Sequence, residues 1–154
     1  VTVSALTAEA FEPFGHVLSG PPIEGLNGRP HAKPVIELVD AEAFAESHAH
    51  VVSVLERHPH SSQAFVPFGA ASYLVVVAAE RSGGLPDVGG LLAFEASART
   101  AIQYRPGIWH APISAAGQTR RFVMQVHKDG TAADTEFFEI EPLRIAFPQP
   151  ARAV

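Results

Sequence analysis

Two histidines spaced two residues apart, His58 and His60, are the first candidates for chemistry in this 154-residue chain. They lie in the segment LERHPHSSQAFVPFG, residues 55–69, and Gln63 follows three residues later. Side chains two apart on a β-strand point to the same face, so a regular strand would place Glu56, His58 and His60 together. Neutral imidazole suits nickel, zinc, iron or manganese. A packed His58 and an exposed His60, without metal, are the alternative.

A second segment supplies a third histidine. The run YRPGIWHAP, residues 104–112, carries His110 after a Pro-Gly turn, with Trp109 on the opposite face. An imidazole from a distant strand would complete a facial site with positions open for substrate. A glutamine amide is an uncharged ligand, so the metal would keep its full charge for an anion such as a carboxylate. The predicted metal ligands are His58, His60, Gln63 and His110.

Other polar side chains near these segments are candidates for proton transfer and substrate binding. We consider Glu56 and His127 for proton transfer, beside His58 and His110 as catalytic residues. The predicted substrate contacts are Gln63, Arg57, Arg29, Lys33 and Tyr104. Three of these contacts could instead be structural or surface residues. Arg57 points away from His58 on a regular strand and suits an ion pair, and the loop 19–34 that carries Arg29 and Lys33 suits a solvated surface.

Short strands joined by turns must position these residues. Thirteen prolines and twelve glycines are spread along the chain, which favours many short strands. Residues 73–79 form a β-branched run typical of a buried strand, and residues 121–127 alternate apolar and polar side chains. A short helix is predicted over residues 7–14 with Thr7 as its cap, and a helical turn over residues 40–47. The pattern indicates an all-β barrel or sandwich.

Length and composition predict one soluble domain, residues 1–154. The net charge is −5 without a lysine and arginine cluster, which argues against a nucleic-acid partner. Cysteine is absent, which excludes thiolate metal sites and suits a reducing compartment. No apolar run approaches the roughly 20 residues that span a bilayer, and no signal-peptide pattern opens the sequence. We therefore expect a cytoplasmic protein that does not bind membranes.

Together, the two histidine segments resemble the two conserved motifs of the cupins. The first has H-x-H, a polar residue, an aromatic-valine pair and a glycine, with Gln63 where cupins usually carry glutamate. The second has Pro-Gly, two residues and then His110. The resemblance implies a cupin-like double-stranded β-helix, a jelly-roll barrel, with one or two short helices near the N-terminus.

A narrower resemblance is to the ureidoglycolate lyase family. It is carried by ERHP at residues 56–59, SQAFVP at residues 62–67 and the Trp109-His110-x-Pro112 block, with similar blocks at residues 6–18 and up to residue 126. The resemblance implies elimination of urea from ureidoglycolate, giving glyoxylate, in allantoin and purine breakdown. It also implies a small-molecule carboxylate as substrate, a divalent metal with nickel among the candidates, and a homodimer.

Four departures from the family pattern leave alternatives open. Ala111 stands where a second histidine usually follows, and Val126-His127 where an Asp-Arg pair usually ends the strand. The loop around Asn27-Gly28-Arg29 and His31 is shortened. His60 is an addition that restores the general cupin motif. The alternatives are a metal-dependent cupin enzyme acting on another small carboxylate, and a non-catalytic cupin that binds a small molecule.

Overall fold

The computed structural model describes residues 1–44, 49–69 and 71–146, and its regular structure is almost entirely β. These ranges contain one α-helix, α1, at Ala8–Phe11, and two single 3-10 turns at Val88–Gly90 and Ala132–Asp134. The strands are β1 (Val3–Ala5), β2 (Gly15–Val17), β3 (Lys33–Phe44), β4 (His50–Arg57), β5 (Gln63–Phe68), β6 (Tyr73–Ala78), β7 (Leu92–Ala96), β8 (Ile102–Tyr104), β9 (Trp109–His110), β10 (Ser114–Ala116), β11 (Arg120–Lys128) and β12 (Glu136–Ile145). The predicted all-β fold with a short N-terminal helix is confirmed.

Within the described ranges, twelve strands form one hydrogen-bonded sheet, consistent with the predicted cupin-like fold. Ten strands follow the order β12-β4-β9-β6-β10-β3-β11-β5-β8-β2, while β7 pairs with β6 and β1 with β7. The long strand β3 joins the two halves. Its first part runs antiparallel to β11, and its last three residues run parallel to β10. This connection brings β4, β5, β9 and β11 around one interior.

Strand β6 separates two apolar cores, because all six of its side chains are buried. Tyr73, Val75 and Val77 belong to the core inside the barrel, which also holds Phe122. The alternate side chains belong to a second core that includes Leu55. A strand that is buried on both faces needs apolar side chains at every position, which explains the continuous apolar run at residues 73–79. The predicted buried strand is confirmed.

Helix α1 is short and closes one end of the barrel. Thr7 caps it by accepting a hydrogen bond from the N–H of Ala10 at 3.1 Å. Phe11 is fully buried, and its ring meets Tyr104 edge-on at 5.8 Å between centroids. No helix within the described ranges is long and apolar enough to cross a membrane.

The predicted helical turn at residues 40–47 is wrong for its first part. Residues 40–44 continue β3, and residues 45–47 lie outside the described part of the chain. The register explains the difference, because residues 41 and 42 already have partners on β11 and β10. Pairing on both edges of β3 outweighs the helix preference of alanine and glutamate there.

Candidate active site

Three side chains from two strands and a turn converge at one end of the barrel interior. Potential ligand atoms of Glu56, His58 and His110 all lie within 4.8 Å of one another. Glu56 is near the end of β4, His58 is the first residue after it, and His110 ends β9. Glu56 and His110 are direct partners in the β4–β9 register, so strand pairing brings the carboxylate beside the imidazole.

Backbone carbonyls orient both imidazoles in the same way. His58 Nδ1 lies 2.9 Å from the carbonyl oxygen of Asp134, and His110 Nδ1 lies 2.9 Å from that of Ile108. A carbonyl can only accept, so each Nδ1 carries the hydrogen and donates it. Each Nε2 therefore presents a lone pair. Both Nε2 atoms are buried and have no hydrogen-bond partner among the described residues.

Glu56 faces one of these lone pairs. Its Oε1 lies 3.4 Å from His110 Nε2. Burial acts to raise the pKa of Glu56, but the neighbouring His110, His58 and Lys128 side chains outweigh it and lower that pKa. Burial likewise lowers the pKa of His58. The site at neutral pH therefore combines a carboxylate with a neutral His58 imidazole.

Glu56 and His58 line a cavity of about 290 Å³, while His110 contacts Glu56 without lining the cavity itself. The polar side chains of the lining are Asp40, Glu56, His58, Gln63, Lys128 and Thr135. The apolar ones are Val39, Ala41, Phe65, Pro112, Ile113, Met124 and Phe137. Gln63 Oε1 is a third buried acceptor without a partner in the described part of the chain. The cavity suits a small polar ligand.

His60 does not join the group, and the predicted shared strand face is wrong. Strand β4 ends at Arg57, and Pro59 and His60 form a turn before β5 begins at Gln63. Pro59 has no N–H to extend the ladder, which ends the two-residue alternation there. His60 is exposed in that turn. Glu56 takes the position beside His58 and His110 that the sequence pattern predicted for His60.

Arg57 lies on the face of β4 that points away from Glu56, His58 and His110. The ion pair that the sequence offered as its alternative role is present. Its guanidinium contacts Glu80 and Glu136, each at 2.6 Å. It also lies 4.5 Å from the ring centroid of Trp109. Two carboxylates and an aromatic ring occupy this guanidinium, so the structure does not bring Arg57 to the cavity as the predicted substrate contact.

The two cations predicted from the loop are also outside the cavity. Arg29 forms ion pairs with Asp129, at 2.9 Å, and with Asp134. Lys33 is exposed at the start of β3. Arg29 nevertheless affects the site indirectly, because the residue it holds, Asp134, is the one whose carbonyl orients His58.

Tyr104, another predicted substrate contact, lies behind the site. Its ring stacks on His110 with centroids 4.1 Å apart and planes at 13°. It is 1% exposed and does not line the cavity. Burial, with the nearby charges of Tyr73 and Glu56, raises the pKa of Tyr104 well above its ordinary value. The ring packs against His110 rather than facing the ligand.

His127 points away from the cavity. The predicted alternation on β11 is confirmed, with Phe122, Met124 and Val126 buried on the inner face. His127 therefore lies on the outer face, where its ring approaches Gly25. Its backbone N–H donates to Ser61 Oγ at 2.8 Å. The proposed role of His127 in proton transfer has no support from this position.

Sequence reasoning missed Lys128, Thr135 and Asp134. The alternation on β11 contains the signal for Lys128, because the face of Phe122, Met124 and Val126 continues to residue 128. Nothing comparable marks the other two residues. Asp134 contacts His58 although the two residues are 76 positions apart in the sequence. Only the fold shows that contact.

The group has the composition of a metal site. Two imidazole nitrogens and the Gln63 oxygen are buried acceptors without partners among the described residues. A second oxygen, from Glu56, faces His110 Nε2 across 3.4 Å, and two acceptors at that distance repel unless a cation lies between them. Histidines that donate Nδ1–H to carbonyls are typical of metal ligands. The residues present therefore fit a divalent metal.

The family model and the similar proteins point to the same family. The family model described as ureidoglycolate lyase matches residues 21–146. A ureidoglycolate lyase of Rhizobium etli is 35% identical over 169 residues, with 96% of each chain covered. One from Pseudomonas fluorescens is 32% identical over 164 residues, covering 96% of this chain and 97% of the relative.

Two solved structures that resemble the chain are a dTDP sugar isomerase and RmlC. A dTDP sugar isomerase from Desulfovibrio desulfuricans aligns with a TM-score of 0.48 and 17% identity, covering 77% of this chain and 68% of that chain. RmlC from Streptococcus suis aligns with a TM-score of 0.43 and 9% identity, covering 66% and 46%.

Proposed function

The chain belongs to the ureidoglycolate lyase family, and we propose that its cavity eliminates urea from ureidoglycolate to give glyoxylate, in allantoin and purine breakdown. The carrying observation is the group of Glu56, His58 and His110, of which Glu56 and His58 line a small cavity. Ureidoglycolate carries a carboxylate, a hydroxyl and a ureido group on one carbon. Its polar groups match the polar side chains of the lining, and its size suits about 290 Å³.

The reaction needs a base at the hydroxyl and an acid at the departing nitrogen. Glu56 is the carboxylate in position to do both. Asp40 also borders the cavity, but Arg121 bonds both of its oxygens at 2.8 and 3.1 Å. Glu56 accepts the hydroxyl proton, the C–N bond breaks as the C=O bond of glyoxylate forms, and Glu56 returns the proton to the urea nitrogen.

Both histidines supply acceptors rather than protons. Their Nδ1 hydrogens are donated to Asp134 and Ile108 carbonyls, and their Nε2 lone pairs are buried beside Glu56. In that tautomer neither ring gives a proton to the substrate. Apolar side chains of the lining, such as Phe65 and Met124, lower the local dielectric and strengthen these polar contacts.

A divalent metal is proposed to complete the site. His58, His110, Gln63 and the Glu56 oxygen that faces His110 would hold it, which leaves the second Glu56 oxygen as the base. Nickel, zinc, iron and manganese all accept this mixture of nitrogen and oxygen ligands. When bound, the metal would supply Lewis acidity that lowers the pKa of the substrate hydroxyl.

The test of this function is product formation. Purified protein, supplied in turn with each of the four metals, is incubated with ureidoglycolate, and urea and glyoxylate are quantified together. We expect the two products in equal amounts. Turnover of other 2-hydroxy acids without any of ureidoglycolate would select the alternative metal-dependent cupin, and binding without turnover of any acid would select a non-catalytic cupin.

A homodimer is the second part of the proposal. Five apolar side chains share the outer face of the β3–β11–β5 sheet: Ile36, Leu38, Val66, Phe68 and Val123. Ile36 is 73% exposed, Leu38 64% and Phe68 53%. Contiguous exposed apolar side chains on a sheet are unusual for a monomer, and a second copy of the chain would cover them.

Mass measurement in solution tests the dimer. We expect the wild-type chain to have twice the mass of the 16.4 kDa protomer and Leu38→Glu to have the protomer mass. Leu85→Glu is the matched control, because Leu85 is also exposed, at 52%, but lies in a loop away from the sheet. A monomeric wild-type protein, or dissociation by both variants equally, would count against this face.

A further inference from the structure

Lys128 is the cation that the barrel directs into the cavity. It is the last residue of β11, on the same face as the buried Met124 and Val126, and it lines the cavity with Glu56 and His58. Its Nζ lies 3.0 Å from Glu37 Oε1. Glu37 does not line the cavity, so it holds the ammonium from behind. An ammonium has three hydrogens, and one bond to Glu37 leaves two for a ligand.

The other cations near the site already have partners elsewhere. Arg29 is paired with Asp129 and Asp134, Arg57 with two glutamates, and Arg121 with Asp40. None of these three guanidiniums lines the cavity. Lys128 is therefore the one lysine or arginine, within the described ranges, that an anion in the cavity would meet.

Within the described ranges, neither carboxylate of the cavity lining is hydrogen-bonded to this ammonium, although the charge of Lys128 helps to lower the pKa of Glu56. Asp40 is bonded by Arg121 through both oxygens, and Glu56 faces His110 at 3.4 Å. Apolar side chains such as Met124 share the lining, and a ligand carboxylate beside them without a cation would be poorly solvated. A ligand carboxylate is therefore favoured next to Lys128.

We propose that Lys128, held by Glu37, is the carboxylate-binding residue of the cavity, and that it selects 2-hydroxy acids over their neutral analogues. The inference rests on the proposed lyase function for its substrate, but the binding it describes does not require turnover. With the carboxylate on Lys128, the adjacent carbon and its hydroxyl lie on the side of Glu56 and the two imidazoles. Lys128 thereby sets which substituent meets the base.

The test compares an acid with its amide. Glycolate and glycolamide have the same size and hydroxyl, but only glycolate has a carboxylate. Binding of each is measured by titration calorimetry to wild-type protein, Lys128→Met and Lys33→Met. Lys33 is the matched control, because it is the register partner of Lys128 on β3 but is exposed and outside the cavity.

We expect wild type and Lys33→Met to prefer glycolate, and Lys128→Met to lose that preference by about tenfold or more, the loss typical of a charge-assisted hydrogen bond. Glycolamide binding and bound-metal content should not change. Glycolate binding by Lys128→Met within twofold of wild type would overturn the proposal, as would equal wild-type affinity for both probes. If Lys128→Met does not fold, Lys128→Arg and Lys128→Gln provide the same comparison, and only arginine should retain the preference.

Kinetics give an independent second measurement. In the ureidoglycolate assay, Lys128→Met should raise KM at least about tenfold, while Lys33→Met leaves it unchanged. A protein that releases no urea but still discriminates glycolate from glycolamide through Lys128 would contradict the lyase function and support the anion site. A protein that releases urea, but whose KM is unaffected by Lys128→Met, would support the lyase function and contradict the anion site.

Discussion

His58 donates its Nδ1 hydrogen to the carbonyl of Asp134 across 2.9 Å, and this contact links the candidate site to a distant loop. The Asp134 carboxylate is itself fixed by the N–H groups of Asp129 and Gly130, at 3.0 and 2.8 Å, and by Arg29. The orientation of His58 therefore depends on an ion pair that never touches the cavity. Such supporting contacts tune ligand basicity and geometry in metal sites.

Removing Arg29 should weaken metal binding. Arg29→Ala releases the Asp134 loop and lets the His58 ring rotate, so we expect metal affinity to fall by about 10- to 100-fold, the range typical of lost supporting contacts. Arg105→Ala is the control, because it removes a surface ion pair with Glu12, and neither residue lines the cavity. Competition with a chromogenic chelator measures both affinities. Equal losses in the two variants would contradict a specific role for Arg29.

Asp134 should also make stability depend on pH in the acid range. Partial desolvation acts to raise its pKa, but hydrogen bonds from Arg29, Asp129 and Gly130 outweigh it and lower that pKa to about 2. The unfolded chain has an ordinary aspartate pKa of about 4. A lowered folded-state pKa stabilises the fold above the ordinary value, and this contribution is lost as pH falls from about 4 to about 2.

Chemical denaturation at pH 7, 4 and 2.5 measures this dependence. We expect Asp134→Asn to be less stable than wild type at pH 7 and the difference to narrow at pH 2.5. A stability difference that is constant across the three pH values would show that Asp134 does not titrate with folding.

Tyr104 should behave as a packing residue rather than a substrate contact. Its Oη is buried and has no hydrogen-bond partner among the described residues, while its ring stacks on His110. Tyr104→Phe keeps the ring and removes the hydroxyl, so we expect unchanged KM and unchanged or slightly higher stability. Tyr104→Ala should destabilise the fold by about 3–5 kcal/mol. A large rise in KM for Tyr104→Phe would restore the role predicted from the sequence.

Glu56 should control the rate rather than binding of the substrate. Glu56→Gln keeps the side chain's size but removes the base, so kcat should fall by about 10²- to 10⁴-fold. The assay is run at saturating metal, because the glutamine oxygen is a weaker ligand. A fall confined to KM would point to substrate binding instead. Because the pKa of Glu56 is lowered, the wild-type base should remain ionised and active down to mildly acidic pH.

Strands were predicted well where the residues of a single segment determine the structure of that segment. Strand β6 followed from its apolar run, and the inner face of β11 followed from alternation. The Thr7 cap followed from side-chain chemistry. In each case the signal lies within the segment itself, so no information about distant contacts was needed.

The site was predicted only in part, because its geometry depends on contacts between distant segments. His58, His110 and Gln63 were identified, and Glu56 was named as a proton-transfer candidate. The assumption that β4 continues past Pro59 placed His60 beside His58, whereas the turn exposes it. Arg29 and Lys33 were predicted as the cations of the site, but the fold places both outside the cavity. Lys128, which lines the cavity, was not predicted.

Two departures from the family pattern lie away from the cavity. Ala111 is buried in the second core, where its N–H donates to Val76 at 2.9 Å. Val126 packs in the barrel core, and His127 faces outward. Neither position lines the cavity, so these substitutions do not remove a group from it.

The comparison of His58→Ala with His60→Ala tests the account's central claim most directly. Each variant removes one imidazole from the same H-x-H pair, and urea release from ureidoglycolate is measured for both at matched metal concentration. We predict that His58→Ala loses bound metal and activity, while His60→Ala keeps both near the wild-type level. Loss of activity in His60→Ala with retention in His58→Ala would contradict the site, and no urea release by the wild-type protein would contradict the function.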